Sequence, residues 1–341
     1  MDGAPTQPSN RGTLRRMSPL LRARARAQGL VFTAADAVAC GYNPDEASRL
    51  VRSGQWVRLR RGVYCERVTL EAAATPEARH RVMVAAALLA AGTRVHASHQ
   101  SAAVLHEVAV LRVPSRVTLT APDGPHKATP ALLRVVAALP QEHCARTPDG
   151  LAVTSVARAV VDIARALPFR DAVVAADSAL HAGRTTPAEL QTVLDEQRGW
   201  RGSRSAARVL AFADKRAESP GESVTRVLLA ELGYTEVEPQ PVLEGLSRRT
   251  YRVDLLLRGR VIVEFDGKVK YVDAAMTKDR TPADVLLAEK DREQDLEDAG
   301  YEVVRLKWSD LAAPARVRAK IEAALARTSY QRAAPPTRQS G

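Results

Sequence analysis

A chain of 341 residues with 45% apolar side chains is long enough for two or three domains and excludes an intrinsically disordered protein. Fifty lysines and arginines against 39 aspartates and glutamates leave a formal charge of +11, a field that favours a polyanion such as nucleic acid, although an Arg- and Ala-rich composition of genomic origin explains part of it. Three scattered cysteines, Cys40, Cys65 and Cys144, exclude a disulfide framework and a CxxC zinc site and fit a reducing cytoplasm.

No run approaches the roughly 18 apolar residues of a membrane span, and the amino terminus is polar, without an apolar secretory core. The expectation is a cytoplasmic protein with no membrane partner. Residues 1–13 and 327–341 are rich in Pro, Gly, Ser and Gln and read as disordered tails. The Arg-rich stretch from Leu14 to Gln28 reads as a solvated helix facing DNA.

Residues 14–67 carry a dense run of punctuation. Thr33 can cap a helix over Ala34–Cys40 that Gly41 ends. Asn43 caps a second helix, with Pro44 at its first position and Glu46 completing a capping box. Gly54 breaks that helix, and WVRLRR and GVYC follow as strands joined at Arg60-Arg61-Gly62. Helix, turn, helix and basic hairpin is the order of a winged helix, whose second helix enters the major groove while the wing touches phosphate. Arg49, Arg52, Arg58, Arg60 and Arg61 are the side chains this predicts on double-stranded DNA; the plainer alternative is a small helical domain with solvated arginines.

Residues 68–216 read as a mostly helical middle region with a small sheet. Pro76 to Ala91 is apolar all round, as a buried helix is. VTLTAP alternates as a strand, GLAVTS leads into a helix over VARAVVDIARAL, and Pro187–Gln197 and Ser203–Lys215 supply two more helices. His96 and His99 have helical i, i+3 spacing, but without a matched third ligand a structural role outweighs a metal site.

Residues 217–326 open on the break Glu218-Ser219-Pro220-Gly221. A helix from Glu222 to Leu232, three strands (TEVEPQPVL, TYRVDLLL, RVIVEFDG), a charged helix over Ala283–Ala299 and the strand YEVVRLKW predict a helix-flanked mixed sheet. The fold class is thus α+β and multidomain: an amino-terminal winged helix-turn-helix, a helical middle, and a carboxyl-terminal α/β domain. Strand alternation puts Glu264, Asp266 and Lys268 on one face, with Val261, Val263 and Phe265 on the other. Asp254 sits among apolar residues on the preceding strand, where a carboxylate is costly unless compensated. Phosphodiester hydrolysis needs an activated water and neutralised phosphorane charge, which a carboxylate-bound divalent metal supplies. Asp254, Asp266 and Glu264 are the predicted ligands for Mg²⁺ or Mn²⁺. Lys268 would orient the water or stabilise charge, and Glu222 is a further candidate from the leading helix. The spacing matches the PD-(D/E)xK signature; the alternative is a solvated strand end whose charges pair with one another.

Two family resemblances follow from these segments. SPGESVTRVLL, RVDLLL, VIVEFDGKVKY and EKDREQDLEDAGYEVVRLKWSDL resemble the Vsr-like nucleases of the restriction-endonuclease-like superfamily. That resemblance implies Glu222, Asp254, Glu264, Asp266 and Lys268 as the acidic and basic cluster, with Arg292 and Trp308 as framework or substrate-proximal residues. Many such proteins carry histidine shortly after the DG pair, where this chain has Lys268, Lys270 and Tyr271, which speaks against a histidine-based mechanism. GLVFTAADAV, SGQWVRLRRGVY, VHASHQSAAVLH and GLAVTSVARAVVDIA resemble antitoxins of the AbiE abortive-infection type, which implies promoter binding, autorepression and a cognate toxin as protein partner. Two functions therefore compete: a Mg²⁺-dependent DNA endonuclease guided by a winged helix, and an antitoxin-like regulator whose nuclease fold is silent.

Overall fold

The computed structural model describes residues 17–124, 127–267 and 282–333, and the chain divides into two units. One contains the chain up to His106 together with Val113–Ser155; the other contains Glu107–Arg112 and everything from Val156 onward. The predicted middle region is thus shared between them, its first half folding with the winged helix and its second with the terminal domain.

The first unit opens with α1 (Pro19–Arg26), β1 (Phe32–Thr33), α2 (Ala34–Ala39), α3 (Pro44–Arg52), β2 (Trp56–Arg60) and β3 (Val63–Glu66). The strands form a sheet of order β1-β3-β2, which is the winged-helix topology. Local chemistry sets the helix starts. Thr33 Oγ1 accepts the Asp36 amide while the Asp36 carboxylate accepts the Thr33 amide, a reciprocal box, and Asn43 Oδ1 accepts the Glu46 amide at 2.8 Å. Inside, Leu21, Phe32, Tyr42, Leu50 and Trp56 form one cluster, with the Phe32 and Trp56 rings edge to face at 4.7 Å.

After α4 (Arg67–Ala72), α5 (Pro76–Ala91) packs against all three strands of the winged-helix sheet and against a second sheet. Its apolar residues run all round because it is covered on more than one side; Val82, Val84 and Ala85–Leu88 are buried. The second sheet is built from β4 (His96–Ala97), β5 (Val117–Ala121), β6 (Lys127–Thr129), β7 (Leu132–Val136), β8 (Cys144–Arg146) and β9 (Ala152–Thr154), with α6 (His99–Leu105) following β4. Its order is β6-β7-β5-β4-β9-β8. This six-stranded mixed sheet corrects the expectation of a mostly helical region with a small sheet. Four of its strands, β4, β6, β8 and β9, span only two or three residues, too short for a period of two to declare itself. His96 lies in β4 and His99 starts α6 at φ +53°, so the two histidines share no helical face.

The second unit begins with four helices, α7 (Val156–Ala166), α8 (Phe169–His181), α9 (Pro187–Glu196) and α10 (Ser203–Phe212). Two buried ion pairs lie here: Arg158 to Asp162 at 2.9 Å within α7, and Asp177 of α8 to Arg226 of the helix that follows α10 at 2.9 Å. Next come α11 (Pro220–Glu231), β10 (Val237–Pro239), β11 (Val242–Glu244), β12 (Thr250–Arg252), β13 (Leu255–Leu257), β14 (Val261–Phe265), α12 (Pro282–Asp298), β15 (Glu302–Leu306), α13 (Trp308–Leu311) and α14 (Pro314–Ala333). The helix α14 runs past the predicted tail boundary at residue 327.

A four-stranded sheet of order β10-β13-β14-β15, with β14 and β15 parallel, is the spine of the terminal domain. Two of the predicted strands are each broken, at Gln240-Pro241 and at Val253-Asp254, so that β11 and β12 form a separate hairpin. Leu255, Leu257, Val261 and Val263 face one core with α11 and α14; Leu256 and Ile262 face another with Leu296 of α12. The excursion at residues 107–112 docks here: the Ala109 amide donates to Ser178 Oγ at 2.9 Å and Glu107 pairs with Arg184. Among the described residues no helix is long and apolar enough to cross a membrane, and all three cysteines are free.

Candidate nucleic-acid interface and carboxylate site

On α3, Glu46 and Leu50 are buried, which turns Ser48, Arg49 and Arg52 outward; all three are exposed. Its first turn is acidic and its last turn basic, the arrangement that suits the helix dipole. The wing carries Arg58 exposed on β2 and Arg61 exposed in the β2–β3 turn, where Gly62 takes φ +74°. Arg60 departs from the prediction. The ladder register shifts between Arg58 and Arg60, and this bulge turns the Arg60 guanidinium inward to donate to the Ala131 carbonyl at 3.2 Å, with Nε buried and unpartnered. Burial also lowers its pKa from the ordinary arginine value. The predicted set therefore survives on the surface as Arg49, Arg52, Arg58 and Arg61.

A residue outside the predicted set closes the turn between α3 and the wing: Arg67 donates to the Gly54 carbonyl, and Gly54 sits at φ +73°. A Cβ on Gly54 would lie 2.9 Å from the Arg67 guanidinium. The signal was there in the unmatched arginine after the hairpin. Behind the helix, Asp36 is buried and receives Arg24 at 2.5 Å, Gln28 and Thr33. Burial opposes its ionisation, but the hydrogen bonds from Thr33, Gln28 and Arg24 outweigh that and hold its pKa below the usual aspartate value.

In the terminal domain Glu222, Asp254, Glu264 and Asp266 are all placed, whereas Lys268 lies outside the described residues, as do Lys270 and Tyr271. Glu222 is buried in the first turn of α11 and closes a cap: Ser219 Oγ donates to it at 2.7 Å, the Glu218 amide at 3.0 Å, and Gln240 Nε2 at 2.8 Å. The Gln240 amide in turn donates to the Asp254 carbonyl at 2.9 Å, and Asp254 Oδ2 accepts the Phe265 amide at 2.8 Å. Glu222, Gln240, Asp254 and the end of β14 are thereby tied into one hydrogen-bonded chain. Gln240, at φ +53°, is the link that sequence reasoning missed; the strand break that places it was read as continuous strand.

Glu264 goes elsewhere. Its carboxylate takes Arg292 of α12 at 2.6 Å and has Arg305 of β15 at 3.7 Å, while Arg305 also pairs with Glu289 and Glu293. Asp266 continues the ladder through its amide to the Leu306 carbonyl and sees Lys307 at 3.8 Å. Among the described residues no three His, Cys, Asp or Glu side chains come together as a metal-binding group. The donor set Asp254, Glu264 and Asp266 is accordingly incomplete as placed: Glu264 already carries an arginine where a cation would sit. Trp308 is 47% exposed and stands edge-on to Phe265 at 4.9 Å, a framework contact at the same sheet end.

Comparison with known proteins gives one family match with defined bounds and several wider likenesses. Two curated relatives from Mycobacterium tuberculosis, the uncharacterized proteins MT2308 (strain CDC 1551 / Oshkosh) and Rv2248 (strain ATCC 25618 / H37Rv), are each 30% identical over 175 residues. The match takes in 51% of this chain and 61% of theirs, so the chain spans less than two thirds of their length. A crystal structure of the Rv2827c protein from the same species aligns over 61% of this chain and 78% of its own, at 18% identity and a TM-score of 0.37. The family of transcriptional regulators described as AbiEi antitoxins matches residues 19–67, the stretch that carries the winged helix, so the amino-terminal region is of the AbiEi type.

Proposed function

We propose that this chain is a DNA-binding transcriptional regulator of the AbiEi antitoxin kind. The observation that carries the reading is the coincidence of the family match over residues 19–67 with a complete helix-helix-wing arrangement whose exposed arginines lie on the recognition helix and wing. Arg49 and Arg52 of α3 would enter the major groove, and Arg58 and Arg61 would hold phosphate. Antitoxin character implies a protein partner, the toxin, to be sought by co-purification with the product of the adjacent reading frame. Binding of a duplex spanning the chain's own upstream region tests the core of the proposal. Replacing Arg49 and Arg52 together by Ala is expected to weaken it roughly tenfold or more, about 1–3 kcal/mol per base-reading side chain; undiminished affinity would falsify the assignment of α3.

Metal-dependent DNA hydrolysis by the terminal domain is the second reading. What favours it is the chain of contacts from Glu222 through Gln240 to Asp254 at the sheet end where Asp266 emerges. A bound Mg²⁺ or Mn²⁺ would supply charge neutralisation and an activated water. In such a site Asp254 and Asp266 would serve as ligands and Lys268 as the charged group beside them, while Glu264 would first have to leave Arg292. Incubation of supercoiled and linear DNA with wild type and Asp266→Ala in Mg²⁺ or Mn²⁺ decides it. Cleavage by wild type alone supports hydrolysis, and equal absence of cleavage removes it.

A further inference from the structure

The connection from α9 to α10 reads Gln197-Arg198-Gly199-Trp200-Arg201-Gly202-Ser203-Arg204, with Arg208 one turn further into α10. It contains no carboxylate, and Arg198, Arg201, Arg204 and Arg208 are all exposed. Exposed arginines are ordinary; a loop that holds them in one shape is not. The Trp200 ring has the guanidinium of Arg158 at 5.3 Å and that of Arg165 at 4.9 Å from its centroid. Arg158 is itself buried and fixed by Asp162, while Arg165 donates to the Arg201 carbonyl at 3.1 Å and to Gln197 Oε1 at 3.0 Å. Gly202 sits at φ +84°, and a Cβ there would come within 2.2 Å of the Arg165 carbonyl oxygen, so the loop is pressed onto the end of α7.

The outward charges are largely unmatched. Asp195 is answered by Arg198 at 3.2 Å, and among the described residues Arg201 and Arg204 have no carboxylate partner. The buried polar groups at the loop, Arg158 and Gln197, are already partnered within the protein, and none of the described loop residues has a buried polar atom left without a partner, so a compact anion finds no enclosing site. An extended polyanion needs none, because a row of solvated guanidinium groups gains from each phosphate it neutralises.

We propose that the α9–α10 loop is a second DNA contact, a sequence-independent hold on the phosphate backbone by Arg201 and Arg204, additional to the winged helix. The inference rests on the regulator reading but can fail separately from it. The test uses the full chain, a labelled random-sequence duplex and fluorescence anisotropy across a salt series. Arg201→Ala/Arg204→Ala is expected to lower the slope of log affinity against log salt by about 1.8, since each phosphate contact contributes about 0.9; the double lysine variant is expected to keep most of it. Because both side chains are exposed, thermal melting of the variants should match wild type. An unchanged slope in the alanine pair overturns the loop assignment. If Arg49→Ala/Arg52→Ala leaves binding intact while the loop pair weakens it, the winged-helix reading falls and the loop stands. Absence of DNA binding by wild type at low salt overturns both.

Discussion

Buried beside the second sheet, His80 accepts or donates at Ser101 Oγ over 2.9 Å, and burial pushes its pKa from 6.5 down to about 4 despite a backbone hydrogen bond at Pro114 that favours the charged form. A histidine depressed in the folded state binds more protons when unfolded, so stability is full above pH 6.5 and falls as pH drops towards 4. The expected loss across that window is on the order of 3 kcal/mol. Urea denaturation at a series of pH values should show a steeper slope in wild type than in His80→Gln, the remainder coming from groups such as His96 that burial also shifts downward. Asp36 acts in a lower window. Its depressed pKa stabilises the winged helix above the ordinary aspartate range and ceases to do so as pH falls through the folded value. Replacing Asp36 by Ala removes a helix cap and strands Arg24, at a cost of about 2 kcal/mol, which calorimetry at neutral pH would read as a lower melting temperature. Neither role was legible in advance. Asp36 was passed over because Thr33 was read as a lone cap, and attention among the histidines went to His96 and His99, whose spacing means nothing once a strand end separates them.

At the level of helices and strands, agreement follows the strength of local signals. Thr33, Asn43-Pro44 and Gly54 place α2, α3 and the wing from sequence because caps and breakers act within a few residues. The helix over Pro76–Ala91 was read to its ends. By contrast β4, β6, β8 and β9 span two or three residues each and exist only because neighbouring strands complete their ladders. The segment Ser219-Pro220-Gly221 was read as a break, yet Ser219 is the cap and Gly221 lies inside α11. Its lack of a side chain is a packing requirement: a Cβ there would fall 2.0 Å from the Phe265 ring. That approach sets Glu222 beside the end of β14, so half of the carboxylate site depends on one glycine. Gly221→Ala is expected to destabilise the terminal domain by about 1–3 kcal/mol, seen as a lower melting temperature, and to displace the Trp308 fluorescence that reports on Phe265. The alternation argument held where β14 is regular, with Val261 and Val263 in one core and Glu264 opposite. What alternation could not supply was the partner waiting on the other side, Arg292, which lies 28 residues away in sequence.

Across the whole molecule, charge and connectivity matter more than any single contact. The excess of basic residues was legible from composition, and it is distributed over both units, on α3 and the wing in one and on the α9–α10 loop in the other. Domain boundaries were not legible, because the break after residue 67 looks like a linker while α5, immediately beyond it, packs on the winged-helix sheet. A fragment ending at residue 67 would leave that sheet face in water. It is expected to melt roughly 10 °C or more below a fragment ending at residue 155, as circular dichroism would show; equal melting temperatures would return the winged helix to independence.

The excursion of residues 107–112 has its own consequence for how the chain is made. The polypeptide leaves the first unit after His106, returns at Val113 and leaves again after Ser155. On a ribosome, the first unit can close around its sheet as soon as β9 emerges, while Glu107 and Ala109 must wait for Arg184 and Ser178, synthesised some seventy residues later. During that interval the short segment is a tether without an anchor, and vectorial synthesis builds the unit that carries the winged helix before the unit that carries the carboxylates.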